Sequence, residues 1–205
     1  KNNILLIPIN TIPKSNSIYK IFSENLLIIP FWHLVIMGFK ILYRRIKVVF
    51  SLDKDKRMQV NIISVAKSLN IKLISISKNI NNKKNIKIIE SYSPDIIFTS
   101  TSIIFKKPFL DKFKNKIINR HSGLLPKYAG VWPIFYAIKN QEKYIWVTLH
   151  LLKEKIDAGP IVIKKRFIRR SYSLLDNYTT AFSISAYLVQ AVINRMMKKD
   201  KIKYI

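Results

Sequence analysis

The chain has 205 residues, a net charge of +26 and no cysteine. That length suits one domain, and the missing cysteines exclude a disulfide framework and any Cys-ligated metal site. The charge raises nucleic acid and anionic membranes as partners, yet the lysines spread along the whole chain, and the densest runs (Lys106-Lys107, Lys164-Lys165-Arg166, Arg169-Arg170, Lys198-Lys199) are short. Nucleic-acid binders concentrate charge on one element and interleave aromatics for stacking. A compositional bias toward Lys, Asn and Ile, as an AT-rich genome produces, is the favoured reading, and nucleic acid is not an expected partner.

Asn3 to Ile9 is an apolar run bounded by Pro8 and Pro13 and reads as a strand, and Lys14 to Asn25 carries Ile18, Ile21 and Phe22 at helical spacing. Leu26 to Tyr43 is apolar and about long enough to cross a bilayer. It contains Pro30, His33, Gly38 and Lys40, and Arg44 and Arg45 follow. A spanning segment there would split the first strand from the rest of the sheet. A buried helix, or an amphipathic segment resting on a membrane surface, is expected instead. No secretory signal is visible at the start, so a cytoplasmic location is expected, with peripheral membrane contact through residues 26–43 left open.

Ile46 to Leu52 reads as a second strand, Lys56 to Leu69 as a helix with Met58, Ile62, Val65, Ala66 and Leu69 on one face, and Ile71 to Ile76 as a third strand. Asn79 to Lys87 reads as a polar loop, with Ile88 to Tyr92 closing a short helix. Ser93-Pro94-Asp95 marks a turn before Ile96 to Thr99, a run typical of a buried parallel strand. Pro108 to Phe113 starts a short helix, and Lys116 to Asn119 is another strand. Trp132 and Phe135 are spaced like the inner face of a helix, which makes them core residues or the floor of a pocket. Ile145 to Leu152 and Ile161 to Phe167 read as neighbouring strands, and Ser173 to Lys199 as a long helix with a weak polar break near Asn177. Alternating strands and helices give an α/β fold: a mostly parallel, twisted sheet with helices on both faces. One domain over residues 1–205 is expected, ending in a helical segment at 170–205.

Three of the four glycines, Gly123, Gly130 and Gly159, fall between residues 119 and 160, together with Pro126, Pro133 and Pro160. A chain this poor in glycine keeps it where φ is positive or backbones approach closely, so that window holds the constrained loops on which sites are built. Within it, Asn119 and His121 lie two apart at the end of a strand, so both side chains face one side, and the carboxyl end of such a strand is where ligands bind. Val147-Thr148-Leu149-His150 and Ile156-Asp157-Ala158-Gly159-Pro160-Ile161 follow, placing an acid in a turn between two strands. A neutral amide, an imidazole and a carboxylate suffice for acyl transfer to an amine, which needs a donor for a developing oxyanion and movement of one proton. No metal is required.

These residues resemble the folate-dependent formyltransferases: glycinamide ribonucleotide transformylase, methionyl-tRNA formyltransferase and the sugar N-formyltransferases. The resemblance covers about residues 93 to 167 and rests on Asn-x-His, Ser-Gly-Leu-Leu-Pro-x-Tyr-x-Gly, Thr-x-His and Asp-x-Gly-Pro-Ile. It implies a Rossmann-like domain and 10-formyltetrahydrofolate as co-substrate. It implies that Asn119 polarises the formyl oxygen, that His121 supports the same charge and relays a proton, and that Asp157 positions water or His121 and moves the proton between nitrogens. Thr148 matches a hydroxyl that holds that water. Ile103, Ile104 and Phe105, with Leu124, Leu125 and the loop carrying Asp157, would line the pterin slot. His150, alternating inside a strand, reads as a packing or hydrogen-bonding residue, and His33 has no assigned partner. Arg120 is open between a substrate phosphate contact and plain solvation.

Three features depart from the family pattern or narrow it. The turn at Pro8 to Asn16 holds no glycine, whereas the ribonucleotide enzyme cradles a phosphate there. The tRNA-type enzymes carry a further C-terminal domain, for which 205 residues leave no room. Ala129 stands where many relatives have Arg, and Asn119-Arg120-His121 with Trp132-Pro133 is most similar to the sugar branch. The expected acceptor is therefore a small-molecule amine bearing phosphate, a nucleotide-linked amino sugar. Glycinamide ribonucleotide, or a non-enzymatic basic protein on nucleic acid or membrane, are the alternatives. A homodimer stays open.

Overall fold

The computed structural model describes residues 4–8, 31–49, 62–169 and 171–198. The chain divides into two compact units, residues 1–79 and 80–205. In the first, β1 (Leu5–Leu6) pairs in parallel with β2 (Lys72–Leu73), and the Ile74 N–H extends the ladder to the Leu6 carbonyl at 2.9 Å. Helices α1 (Phe31–Val49) and α2 (Ile62–Ser68) lie between these strands in sequence.

The strand expected at Ile46 to Leu52 is not formed. Ile46–Val49 are the last turn of α1, and residues 50–52 lie outside the described residues. Their β-branched side chains suggested a strand, but extending a helix already running from Phe31 gains one hydrogen bond per residue fixed, which outweighs a weak propensity. Within the apolar stretch, α1 leaves Phe31, Trp32, Ile36, Phe39, Leu42 and Tyr43 exposed instead of burying its length. No helix among the described residues is long and apolar enough to cross a membrane. The pattern at Lys14 to Asn25, the turn after Pro8 and residues 56–61 of the next expected helix lie outside the described residues.

The second unit holds a four-stranded sheet in the order β3 (Ile97–Thr99), β4 (Ile117–His121), β5 (Tyr144–Leu151), β6 (Ile161–Ile168). β3 and β4 run parallel, joined through α4 (Lys107–Lys112), while β4–β5 and β5–β6 are antiparallel. Residues 152–160 connect β5 to β6 with no helix, too short a link for a parallel crossover. The segment read as a loop at Asn79 to Lys87 contains the start of α3 (Lys83–Glu90). Asn82 caps it by accepting the Lys84 N–H at 2.8 Å, a signal that the Asn/Lys-rich composition hid. Phe105, Phe109 and Phe113 stack at 5.0 and 4.9 Å to carry α4.

Helix α5 (Pro133–Lys139) starts after Trp132, which sits in the left-handed region at φ 57°. Its inner face is Pro133, Ile134 and Ala137, all buried, so Trp132 and Phe135, read as core residues or the floor of a pocket, lie off that face and are only half-buried. The long helix α6 (Leu174–Met197) is continuous through Asn177. The buried Asn177 amide donates to the Ser171 and Ser173 carbonyls, both at 2.8 Å, so the polar residue secures the helix start rather than breaking it.

The two faces of the sheet differ. Ile145, Val147 and Leu149 of β5 are buried and alternate with Trp146, Thr148 and His150 on the other face. Helix α6 packs on β5 and β6 through Leu174, Ala181, Leu188 and Val192. Arg120 of β4 points to this helix side: its Nε donates to Ser185 Oγ at 2.7 Å and its guanidinium lies 3.8 Å over the Phe182 ring. Further bonds reach Ser122 Oγ at 2.5 Å and Ser100 Oγ at 3.3 Å. Arg120 therefore ties α6 to β4. Burial pushes its pKa down to about 10, which leaves it charged at neutral pH, and the same burial pushes Tyr178 up to about 12.

Truncating Leu188, only 1% exposed, removes the centre of this packing. Leu188→Ala should cost about 2–5 kcal/mol, read as a lowered midpoint with unchanged slope in urea unfolding.

Candidate active site

The site is set by strand register. In the parallel pair β3–β4, Thr99 lies beside Asn119. In the antiparallel pair β4–β5, Asn119 lies opposite His150 and His121 opposite Thr148. Alternation then puts Asn119, His121, Thr148 and His150 on the face turned away from α6. All four are buried polar groups, which demands partners, and each has them.

The Asn119 carboxamide oxygen accepts the Thr99 hydroxyl at 2.8 Å, and its Nδ2 lies 3.4 Å from His150 Nε2. His150 Nδ1 donates to the Leu151 carbonyl at 3.0 Å, since a carbonyl can only accept. His121 Nε2 likewise donates to the Tyr128 carbonyl at 2.6 Å, which leaves Nδ1 facing inward. The Thr148 hydroxyl donates to the Gly123 carbonyl at 2.6 Å and so holds the loop after β4.

Asp157 arrives from the turn at 152–160. The turn folds back on β5 through the Leu151 N–H to Pro160 carbonyl bond at 2.9 Å. Gly159 passes so close that a Cβ there would stand 1.8 Å from the Leu151 carbonyl oxygen, which is why glycine occupies it. Asp157 itself takes φ 51°, a conformation that Asp tolerates better than most residues. Its carboxylate stands between the two imidazoles: Oδ2 is 3.5 Å from His121 Nδ1 and Oδ1 is 3.5 Å from His150 Nε2. The Gly130 N–H donates to Oδ2 at 2.8 Å, tying the turn to the 123–130 loop.

Burial pushes the His121 imidazole below its ordinary 6.5, and the neighbouring Asp157 charge restores only part of this. For Asp157, burial works toward a raised value, but the His150 imidazole, the Gly130 amide and the His121 imidazole outweigh it and hold the carboxyl below its ordinary 3.8. At neutral pH the site therefore holds an ionised carboxylate beside an imidazole able to accept a proton.

Of the residues expected from sequence, Asn119, His121, Thr148 and Asp157 converge here. The Thr148 hydroxyl is committed to a backbone carbonyl. Ile103, Ile104 and Phe105 form the loop after β3: Ile104 is 64% exposed and the other two are half-buried. Asn81 braces that loop, donating to the Ile104 carbonyl at 3.0 Å and accepting the Lys106 N–H at 2.7 Å. Leu125 is buried and Leu124 half-buried. His150, read as a packing or hydrogen-bonding residue, is buried and makes its contacts at the centre of the cluster. Thr99 and Asn81 had no motif to flag them, because their partners come from other segments.

Two outcomes follow from this geometry. With the folded-state pKa of His121 below 6.5, the unfolded chain takes up that proton first. The contribution is complete above pH 6.5 and is lost as pH falls below it, so thermal unfolding of the native protein should show a larger acid-side drop in Tm than that of His121→Gln. Gly159→Ala should lower stability by about 1–3 kcal/mol through overpacking, and should shift the His121 and His150 ring resonances by moving the Asp157 turn.

The family model described as formyl transferase matches residues 48–171. The chain is 35% identical over 170 residues to a methionyl-tRNA formyltransferase of Borrelia garinii subsp. bavariensis, covering 78% of this chain and 53% of that protein. It thus spans about half the length of that relative. Among solved structures, a sugar 3N-formyl transferase, WlaRD, determined with dTDP and 5-N-formyl-THF, aligns with a TM-score of 0.53 at 25% identity over 71% of this chain and 49% of that one. The formyltransferase PseJ of Anoxybacillus kamchatkensis, in complex with a UDP-linked formamido sugar and tetrahydrofolate, shares the fold with a TM-score of 0.56 at 18% identity over 71% and 76% of the two chains.

Proposed function

The chain belongs to the formyl transferase family, and from that premise we propose that it moves a formyl group from 10-formyltetrahydrofolate to a primary amine, with Asn119, His121 and Asp157 as the catalytic residues. The observation that carries this reading is the Asp157 carboxylate, 3.5 Å from His121 Nδ1 and fixed by the Gly130 amide, on the sheet face that also holds the Asn119 amide.

The co-substrate supplies the formyl carbon. The donor set fits such a group, because an amide, an imidazole and a carboxylate stand together with little exposure. Asn119 donates a hydrogen bond to the formyl oxygen as negative charge builds there. His121, with Nε2–H given to the Tyr128 carbonyl, offers Nδ1 for the proton of the attacking amine. Asp157 stabilises the imidazolium and passes the proton toward the departing nitrogen. The loop at Ile103, Ile104 and Phe105, with Leu124 and Leu125, supplies apolar walls for a pterin. Thr148 acts through Gly123, holding the loop after β4 in place.

Two acceptors remain in play. The amino group of methionyl-tRNA is supported by the 35% identical relative and by the net charge of +26, which steers polyanions. A nucleotide-linked amino sugar is supported by the likeness to the sugar 3N-formyl transferase.

The test is formyl transfer from 10-formyltetrahydrofolate to a panel of methionyl-tRNA, nucleotide-linked amino sugars and glycinamide ribonucleotide. Turnover on one of them is expected. Asn119→Ala should lower kcat by about 10²–10³-fold, the usual cost of an oxyanion donor. Asp157→Asn, which keeps the left-handed turn but removes the charge, should lower kcat comparably. Wild-type rates in both variants would defeat the reading.

A further inference from the structure

We infer that Thr99 is a positioning residue: its hydroxyl holds the Asn119 amide with the N–H groups turned into the site. The inference rests on the reading of Asn119 as the donor to the formyl oxygen. A carboxamide is nearly symmetrical in shape, so exchanging its oxygen and nitrogen costs little sterically. Only its hydrogen-bond partners decide which end faces the reacting atom. The choice matters, since Nδ2 facing a developing oxyanion stabilises it, while Oδ1 in that place repels it.

Thr99 and Asn119 are direct neighbours in the parallel pair, and Thr99 Oγ1 stands 2.8 Å from Asn119 Oδ1. Two oxygens at that separation share a proton, and only the threonine has one. The other acceptor within reach of the hydroxyl, the Ile118 carbonyl, lies farther off at 3.5 Å. From the opposite side, His150 favours the same orientation. Its Nδ1–H is taken by the Leu151 carbonyl, and its other nitrogen, Nε2, stands toward Asn119 Nδ2 at 3.4 Å as the acceptor. That same Nε2 lies 3.5 Å from Asp157 Oδ1. Thr99 itself lies on β3, so it orients the amide from outside the two strands that carry Asn119, His121 and His150.

The test compares the full-length wild type with Thr99→Val, Thr99→Ser, Asn119→Ala and the double variant Thr99→Val/Asn119→Ala. Steady-state kcat and KM are measured with 10-formyltetrahydrofolate and methionyl-tRNA or a nucleotide-linked amino sugar, whichever turns over. Thr99→Val should lower kcat by about tenfold, less than the ~10²–10³-fold expected for removing the donor, with KM unchanged. Thr99→Ser should keep the wild-type kcat. In the Asn119→Ala background, Thr99→Val should cost nothing more, as expected for two residues acting through one group. Should Thr99→Val not fold, Thr99→Ala takes its place, and the Asn119 side-chain amide resonances report orientation without turnover. In the wild type they form a single sharp pair, and they shift or double when the hydroxyl is lost. Wild-type kcat in Thr99→Val beside a crippled Asn119→Ala would overturn the role of Thr99 and leave the site reading intact, as would losses that multiply in the double variant. Wild-type kcat in Asn119→Ala would instead overturn the reading of the site, and this inference with it.

Discussion

The antiparallel pairing of β4 with β5 sets Asn119 against His150 and His121 against Thr148, and the rest of the site hangs on it. A slip of one residue would send these side chains to the α6 face and bring Arg120 to the site. The register is held by what the opposite face buries. Ile118, Val147 and Leu149 are each 1% exposed or less, and exchanging them for His121, Thr148 and His150 would place unpaired polar groups under α6. The chemistry of one face is thus fixed by the hydrophobic packing of the other.

The buried polar groups themselves narrow the geometry. Each backbone carbonyl beside an imidazole can only accept, so the Tyr128 and Leu151 carbonyls fix which nitrogen of His121 and of His150 carries the proton. Asp157 then sets one oxygen beside each inward-facing ring nitrogen, 3.5 Å away in both cases, and the Gly130 N–H anchors it. Side chains anchored from behind by backbone groups are held in place, and an electrostatic catalyst needs that, because groups that already point at the developing charge need not reorganise. The cost appears in the backbone: Asp157 and Trp132 both take positive φ, and both lie in segments that flank the site.

Arg120 shows how one strand serves two functions. Its neighbours in sequence, Asn119 and His121, face the site, while its own guanidinium crosses to Ser185 and Phe182 on α6. With hydroxyl acceptors from Ser100, Ser122 and Ser185 and an aromatic face beneath it, it stays charged although half-buried. Of the two readings open from sequence, these partners set aside plain solvation.

Local pattern in the sequence was enough for several elements. Alternation marked β5 and β6, proline marked the start of α4, and the crowding of glycine and proline between residues 119 and 160 marked the constrained loops around Asn119, His121 and Asp157. It failed where a neighbour outside the window decided the outcome. Ile46–Val49 joined α1 because the helix was already running, and Asn82 turned a polar loop into a helix start. The role of Thr99 could not be read from any motif, since its partner Asn119 lies twenty residues away. The sequence alone determined which chemical groups the site would hold, because side-chain identity and strand alternation are local properties. Only the tertiary structure decided which atoms of those groups face one another, because a hydrogen bond between strands depends on register, and register is set by the burial of the whole sheet face.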